Sequence, residues 1–410
     1  MNKKGFHIKA HYILALFIAF TLPFARFTAI GISLMLLNWL IEADFKNKFS
    51  QIASSKFALL FLAFFIWHLM GLFYTQNMDA GWFDIQVKLS LFIFPLVICS
   101  RPFDAKQIKN FFFAMILGII LSSLALLSIA TYTYFTTTLI RFFYQEFSLL
   151  VHPSYISMYI NVCISWLLLS VFRGEFKGTR FNNFLAILVV TFLSFINVLL
   201  SSKMGLITMV FVFIGFIIYY IVNRKKYIIG VASILLLAGS IFLAMKLFPE
   251  MAGRVTRSIT AISNPPSNPA DTESTAVRFF LWGAANQVIS EHLIFGTGTG
   301  DSKDVLLKEY EKRGMTGAKE HKLNTHSEYY QVFVTIGLIG FILLIACLLF
   351  PLFKAFTSSN VIYILFLLII ILNFFPESML ETQAGVIFYA FFNSVLCFGN
   401  DQLILKDTNT

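Results

Sequence analysis

Long apolar runs alternate with short polar connections along almost all of this 410-residue chain. A helix needs about 20 apolar residues to cross a bilayer, or somewhat fewer where the bilayer thins locally. The pattern therefore predicts an all-α, polytopic integral membrane protein with about twelve transmembrane helices, at residues 11–24, 27–41, 56–74, 83–99, 110–135, 153–172, 182–200, 204–222, 227–248, 327–350, 358–375 and 380–398. The first two segments are short and share a break at 23–26, which predicts either a hairpin or one bent segment.

One long hydrophilic stretch, at about 249–326, interrupts this pattern. It divides the chain into N-terminal transmembrane helices at 1–248, a large loop at 249–326, and C-terminal transmembrane helices with a short cytoplasmic tail at 327–410. Within the loop, residues at helical spacing predict an amphipathic helix at the membrane interface, capped by Thr272 or Ser274; these residues are Val277, Leu281, Ala284, Ala285 and Val288. The glycines of GTGTG, at 296–300, end that helix.

The basic residues collect in alternate connections, as expected if cytoplasmic loops are enriched in Lys and Arg. With the N-terminus placed inside, the short outside loops hold only Arg26, Arg141 and Lys203. This alternation predicts that both termini are cytoplasmic and that the loop at 249–326 faces the opposite side.

Composition agrees with a membrane protein, because 58% of the residues are hydrophobic and only 13% are charged. The net charge of +10 comes from small basic clusters between apolar runs, so we interpret it as a topology signal and not as a nucleic-acid-binding surface. All four cysteines lie inside or at the end of apolar runs, which gives no support for a disulfide framework. No HExxH motif, CxxC pair or close aspartate pair occurs in the outside loops, so neither a metal nor a cofactor is predicted.

His326 and Arg278 are the first candidates for chemistry. His326 stands just before the apolar run that begins near Tyr329, and an imidazole there could take a proton at neutral pH. The alternative is a histidine that only marks the end of a helix. Arg278 lies beside Trp282, and its guanidinium offers a fork of donors suited to a diphosphate. The alternatives for Arg278 are contact with anionic lipid and an ion pair with Glu273.

Lys203 and His152 are predicted to bind substrate. Lys203 lies in SSKMG, in an outside loop with almost no other charge. His152 begins the sixth predicted span and either lines the same site as His326 or caps its own helix. Asp84 and Lys88 are spaced to pair within the fourth span, as a structural ion pair or a polar cavity wall.

The GTGTG run follows a helix and lacks a GK[ST] ending, so it matches neither a dinucleotide fingerprint nor a Walker loop. Tight turning or close backbone packing is the role we predict, with an amide nest for an anion as the alternative.

Four motifs in order, SSKMG, VRFFLWGAANQVI, FGTGTGD and THSEYYQVFVTIGLIG, resemble those of the O-antigen ligase and Wzy-type polymerase family of bacterial membrane glycosyltransferases. The resemblance covers about the C-terminal half of the chain. It implies about twelve transmembrane helices, one large periplasmic loop, and metal-independent, inverting transfer from an undecaprenyl-diphosphate-linked glycan.

His326 matches the family's essential histidine, and Arg278 matches the arginine before the loop tryptophan. Lys203 stands where the family has arginine, which keeps the charge but loses bidentate geometry, and Ser327 stands where asparagine is common.

The function expected from this resemblance is that of an O-antigen ligase in the bacterial inner membrane, moving a glycan onto lipid A–core at the periplasmic face. Arg278 and Lys203 would bind the diphosphate, and His326 would position or deprotonate the acceptor hydroxyl. The partners would be the lipid-linked donor, a lipid A–core or glycan acceptor, and membrane lipids. A polymerase that joins repeat units on the carrier, transfer onto protein, and a transporter are the alternatives. A transporter should line several spans with polar groups, whereas these spans carry few besides Asp84, Lys88 and Lys246.

Overall fold

The computed structural model describes residues 3–24, 26–177, 181–225, 227–247, 249–263 and 275–399, and these residues form helices and connections without a strand. In the first half the helices are α1 Lys3–Thr21, α2 Arg26–Glu42, α3 Phe45–Ser54, α4 Lys56–Met70, α5 Met78–Lys88, α6 Ser90–Ser100, α7 Ala105–Thr137, α8 Tyr144–Phe147, α9 Pro153–Phe172 and α10 Asn183–Leu200. The rest are α11 Lys203–Arg224, α12 Tyr227–Leu247, α13 Pro249–Ser263, α14 Ala276–Glu291, α15 Ser302–Lys312, α16 Thr316–Glu320, α17 Glu328–Thr357, α18 Val361–Phe374 and α19 Gln383–Phe398.

Every predicted apolar segment is helical, which confirms the all-α prediction. Among the described residues, eight helices are long and apolar enough to cross a membrane, or nine if α2 and α3, bent by 115°, are one span. α18 and α19 are apolar but have only 14 and 16 residues. The described chain is thus a multi-pass helical membrane protein with about eight candidate spans.

The two short N-terminal segments form a hairpin and not one bent helix. α1 and α2 pack along each other, and Thr28 donates a hydrogen bond to the carbonyl of Thr21 across the break (2.8 Å). A Cβ added at Gly31 would lie 2.8 Å from Cγ1 of Ile18, so the absence of a side chain allows this close approach.

Two compact units make up the chain, Met1–Phe111 with Ser258–Thr410 (the first unit) and Phe112–Arg257 (the second unit). In the second unit α9 packs against α10 and α11. Asn161 donates to the carbonyl of Gly205 (2.9 Å) and accepts from Asn197 (3.0 Å), so a buried amide pair links these three helices. The division of the chain at 248 and 326 concerns the membrane and stays a prediction.

In the first unit, helix α17 contains a break, and the GTGTG run supplies hydrogen-bond donors to the backbone carbonyls that the break leaves without partners in the helix. Ile336 and Gly337 leave helical geometry, and Gly337 has φ 68° and ψ −167°, a conformation that essentially only glycine adopts. The backbone groups exposed by the break find partners outside the helix, because Thr297 N and Gly298 N donate to the carbonyls of 334 and 335 (2.9 and 3.0 Å). The indole of Trp67 donates to the carbonyl of Ile336 (3.0 Å). An unpaired backbone group inside a membrane costs several kcal/mol, so these contacts make the break tolerable.

The amides of the GTGTG run are consumed by the protein itself. Each amide from 296 to 301 donates to a protein oxygen, in order the carbonyl of His292, Val334, Thr335 and Gly71, the hydroxyl of Thr75, and the carbonyl of Gly298. The prediction of close backbone packing is confirmed. The alternative of an amide nest for an anion is wrong, because these donors are already occupied.

The apolar stripe of α14 faces protein. All five residues that predicted the amphipathic helix are buried. They pack with residues of α15, of α16, of the connection between those two helices and of α17, namely Leu306, Tyr310, Ala318, Met315 and Val334. The helix is confirmed, but its apolar face packs on protein and not on lipid. The prediction of a lipid-facing helix was wrong because an apolar stripe does not itself specify what covers it. The predicted caps Thr272 and Ser274, and Glu273, lie outside the described residues.

Candidate functional site

Arg278 enters the site from the first turn of α14. Its Nε donates to the carbonyl of Pro376 (3.0 Å), and its Nη2 donates to Oε1 of Glu377 (3.0 Å). The side chain is 14% exposed, so this ion pair is largely shielded from solvent. Of the alternatives considered for Arg278, an ion pair forms with Glu377, and Glu273 lies outside the described residues.

His326 is held in a left-handed backbone conformation, with φ 47°. Its amide donates to the side-chain oxygen of Asn324 (3.0 Å). Both neighbours are anchored and buried, because Thr325 donates through Oγ1 to the carbonyl of Ser327 (2.9 Å), and the amide of Ser327 donates to Oγ of Ser378 (3.2 Å). Such a conformation costs about 1–3 kcal/mol in a non-glycine residue and is concentrated at functional sites.

Three residues that follow His326 in the chain, Glu328, Tyr330 and Gln331, make contacts around it. Glu328 accepts from the amide of Leu380 (2.7 Å), and Gln331 accepts from Oγ1 of Thr325 (3.2 Å). Tyr330 stacks on Trp282, whose indole donates to the carbonyl of Thr325 (3.1 Å). They therefore fix the backbone on either side of the imidazole.

Glu377 connects the two predicted catalytic residues. Its Oε1 accepts from Arg278, and its Oε2 lies 3.6 Å from Nδ1 of His326, an ion-pair distance that is longer than a hydrogen bond. The imidazole is 30% exposed and Glu377 is 21% exposed, so solvent reaches the site. The guanidinium and the imidazole thus meet at one carboxylate.

The connection between α18 and α19 provides Glu377 and is held along its length. Three consecutive residues contact the site, through the carbonyl of Pro376, the carboxylate of Glu377 and the hydroxyl of Ser378. Farther along, Glu381 accepts from Nζ of Lys88 (2.8 Å), which also contacts Asp84 (2.5 Å). The predicted Asp84–Lys88 pair is confirmed as a structural ion pair, and Glu381 extends it to the site connection.

The geometry suits proton transfer from a hydroxyl. With Nδ1 directed at Glu377, Nε2 is the ring nitrogen left to accept a proton, and the carboxylate stabilises the imidazolium that forms. Arg278 places positive charge beside the same carboxylate. No group of three or more potential metal ligands occurs in the described part of the chain.

His152 and Lys203 belong to the second unit. His152 caps α9, with Nδ1 accepting from the amide of Ser154 (3.4 Å), so the capping alternative is observed. Lys203 begins α11 after a two-residue break, in which Ser202 accepts from the amide of Gly205 (3.2 Å). A substrate-binding role for either residue stays a prediction.

Glu377 was missed by sequence reasoning, although one signal pointed to it. The predicted topology places the connection after 375 on the same side as 249–326, and Glu377 lies within that connection. A carboxylate on the same side as a candidate arginine and histidine is a candidate partner for both.

Comparison with known proteins agrees with the helical membrane class that the fold defines. Residues 187–345, which include Lys203, Arg278 and His326, match the family model described as O-antigen ligase. The resemblance to the O-antigen ligase and Wzy-type family is therefore confirmed over those residues. A Haemophilus influenzae protein described as an uncharacterized protein is 24% identical over 394 residues, covering 91% of this chain and 92% of that protein.

Proposed function

We propose that this protein is a glycosyltransferase that moves a glycan from undecaprenyl diphosphate to an acceptor hydroxyl. The observation that carries the proposal is the carboxylate of Glu377, which contacts both Arg278 and His326. These two residues lie within the stretch that matches the O-antigen ligase family model, which supports the same reaction class.

The chemistry is a displacement at the anomeric carbon of the donor sugar. His326 accepts the proton of the acceptor hydroxyl on Nε2 as the new glycosidic bond forms, and the bond from the anomeric carbon to the diphosphate oxygen breaks. The diphosphate leaves on the lipid carrier, and Arg278 stabilises its charge. Attack opposite the leaving group inverts the configuration. Lys203 and His152 are proposed as further binding residues for the diphosphate and glycan.

The proposed setting is the inner membrane of a bacterium, with twelve transmembrane helices and residues 249–326 in the periplasm. Membrane lipids surround the spans, and both substrates arrive as membrane-anchored lipids. The basic residues concentrated in the predicted cytoplasmic connections support this orientation. Cysteine labelling of position 303, on exposed Lys303, tests it, because only a periplasmic loop reacts with a membrane-impermeant thiol reagent added to whole cells.

Transfer in proteoliposomes tests the reaction. The purified protein is supplied with an undecaprenyl-diphosphate-linked glycan and with lipid A–core, and products are identified by mass spectrometry. We expect transfer by the wild type and a loss of about 100-fold or more in His326→Ala. His321→Ala, which alters an exposed histidine five residues earlier, is the matched control. Wild-type turnover by His326→Ala would refute the role of His326.

The acceptor separates the ligase from the polymerase. We propose lipid A–core as the acceptor, in line with the description of the matching family model. Under this proposal, deleting the gene leaves lipopolysaccharide without attached polymer. Lipopolysaccharide that retains a single repeat unit would instead identify a polymerase, and glycan moved across the membrane with its attachment unchanged would identify a transporter.

A further inference from the structure

Glu328 is a carboxyl group buried at the start of α17, two residues after His326. The residue is 0% exposed. One carboxyl oxygen, Oε2, accepts a hydrogen bond from the amide of Leu380 (2.7 Å). The other oxygen, Oε1, is also buried and has no hydrogen-bond partner in the described part of the chain. The group is therefore closed off from solvent and has one donor for two oxygens.

The cation of the adjacent network is engaged by two other carboxylates. Nζ of Lys88 contacts Oδ1 of Asp84 (2.5 Å) and Oε1 of Glu381 (2.8 Å). Asp84, Lys88 and Glu381 all interact electrostatically with Glu328. Three carboxyl groups thus share one ammonium group, and full ionisation would leave an excess of negative charge in a buried setting. Nearby like charges and burial both disfavour the ionised form, so one of the three carboxyl groups holds a proton.

Glu328 is the carboxyl group to which the contacts assign that proton. Asp84 and Glu381 bond directly to Lys88, and their side chains are 14% and 23% exposed. Glu328 has neither solvent exposure nor an ion pair among the described residues. Ionising a buried carboxyl group without such contacts is so unfavourable that the group stays neutral instead. The proton belongs on Oε1, because Oε2 already accepts the amide of Leu380.

The hydrogen bond to Leu380 ties this carboxyl group to the connection between α18 and α19. Leu380 lies three residues after Glu377, and Glu381 follows it directly. An ionised Glu328 would repel the carboxylate of Glu381 and compete with it for Lys88. Either effect would displace the connection. The neutral form of Glu328 therefore keeps Glu377 in its place.

Other titratable groups lie around this carboxyl group. Tyr329 follows Glu328 on α17 and interacts with it. His68, on α4, is 1% exposed and interacts with Lys88. His326 faces the opposite end of the connection, at Glu377. A test must therefore separate Glu328 from these groups, which substitution of Glu328 alone does.

We propose that Glu328 is a buried proton-binding site, and that its neutral carboxyl group is a positioning residue for Glu377. The positioning role rests on the proposed function, whereas the bound proton does not. Glutamine has nearly the shape of a protonated glutamate and keeps an oxygen that accepts the amide of Leu380, but it cannot ionise. Glu328→Gln therefore fixes the neutral form at every pH.

Infrared difference spectroscopy tests the bound proton directly. The C=O stretch of a protonated carboxyl group is separate from the bands of carboxylates and peptide groups, and a detergent without ester or carboxyl groups keeps that region clear. At neutral pH, wild type minus Glu328→Gln should show such a band, which shifts in D2O and disappears at alkaline pH. Glu320→Gln, at an exposed position of α16, should leave the band unchanged. A difference spectrum without this band at neutral pH would overturn the proposal.

The pH dependence of transfer tests the positioning role. The protonated form of Glu328 is the active one, so wild-type kcat in proteoliposomes should fall as pH rises from about 6 to 10 and this proton is lost. Glu328→Gln should keep neutral-pH kcat within about twofold of the wild type, because it preserves shape and acceptor, and should lack the alkaline fall. Glu320→Gln should follow the wild-type profile. The same alkaline fall in Glu328→Gln, or a large loss of its kcat at neutral pH, would overturn the role.

The two measurements separate this inference from the proposed function. The infrared measurement needs no substrate, so a protein that shows the band but transfers no glycan would refute only the proposed function. Transfer by a wild type without the band would refute only the proton-binding site. Unfolding temperatures establish that each variant is folded. Glu328→Met, which places an unbranched apolar side chain of similar length, should also lack the band and replaces Glu328→Gln in the comparison if that variant does not fold.

Discussion

Arg278 and His326 contact opposite oxygens of one carboxylate, that of Glu377. The first residue lies on a helix that packs on protein, and the second lies in a left-handed turn before a long apolar helix. Glu377 sets the charge between them: its Oε1 accepts from the guanidinium (3.0 Å), and its Oε2 lies 3.6 Å from Nδ1 of the imidazole. The carboxylate therefore influences both proposed steps, proton removal by His326 and diphosphate stabilisation by Arg278.

Glu377→Gln should lower kcat for glycan transfer by about 100-fold or more, the range for loss of general-base catalysis. Glutamine keeps the shape and an acceptor for Arg278, but it cannot stabilise an imidazolium. Steady-state transfer in proteoliposomes measures the effect, and Glu320→Gln, at an exposed position of α16, is the control. A Glu377→Gln protein with wild-type kcat would show that His326 works without this carboxylate.

Gly337→Ala should destabilise the break in α17. An added Cβ would collide with the carbonyl of Ile294, and the positive φ of Gly337 is unfavourable for alanine. We expect a loss of at least about 1–3 kcal/mol, seen as a lower unfolding temperature in detergent. Gly215→Ala is the control, because its Cβ meets nothing within 4 Å in α11. An unchanged unfolding temperature for Gly337→Ala would mean that the break has no need of glycine.

Hydropathy predicted the helices well because each apolar run reports its own burial, whether in lipid or in protein. The break at Gly337 was not predicted, since the run VTIGLIGF is apolar throughout and its repair depends on Thr297 and Gly298, distant in sequence. The surroundings of α14 were misjudged for a related reason: the stripe at Val277 and Leu281 is the same whether lipid or α15 covers it.

The predicted site residues came from local motifs, whereas their partners came from tertiary packing. Arg278 and His326 each stand in a recognisable stretch, but the short connection that holds Glu377 resembles an ordinary loop in sequence. Which carboxylate pairs with Arg278 depends on how α18 and α19 pack against the rest of the first unit. Periodicity along the chain carries no information about that choice.

Lys88→Met should destabilise the protein by about 3–5 kcal/mol, because it leaves Asp84 and Glu381 without their buried cation. The side chain of Lys88 is fully buried, so water cannot replace it without rearrangement. Thermal unfolding in detergent measures the loss, with Lys303→Met, at an exposed position, as control.

The triple variant Lys88→Met, Asp84→Leu, Glu381→Leu should recover most of the stability, since an apolar cluster of similar volume replaces the whole network. A Lys88→Met protein as stable as the wild type would contradict a structural role for the network.

Tyr310→Phe should stabilise the cluster beneath α14 by about 1 kcal/mol, because the buried hydroxyl of Tyr310 has no hydrogen-bond partner in the described part of the chain.

Burial also raises the pKa of Tyr310 above its usual value near 10. The folded protein therefore keeps this proton at a pH where the unfolded chain releases it, and stability is lost as pH rises above about 10. Phenylalanine has no proton to release, so the gain from Tyr310→Phe should be constant below pH 9 and grow between about pH 10 and pH 11, and chemical denaturation across this range measures it. Tyr227→Phe, which alters an exposed tyrosine, controls for general alkaline effects. If the two variants depend on pH in the same way, ionisation of Tyr310 does not contribute to alkaline unfolding.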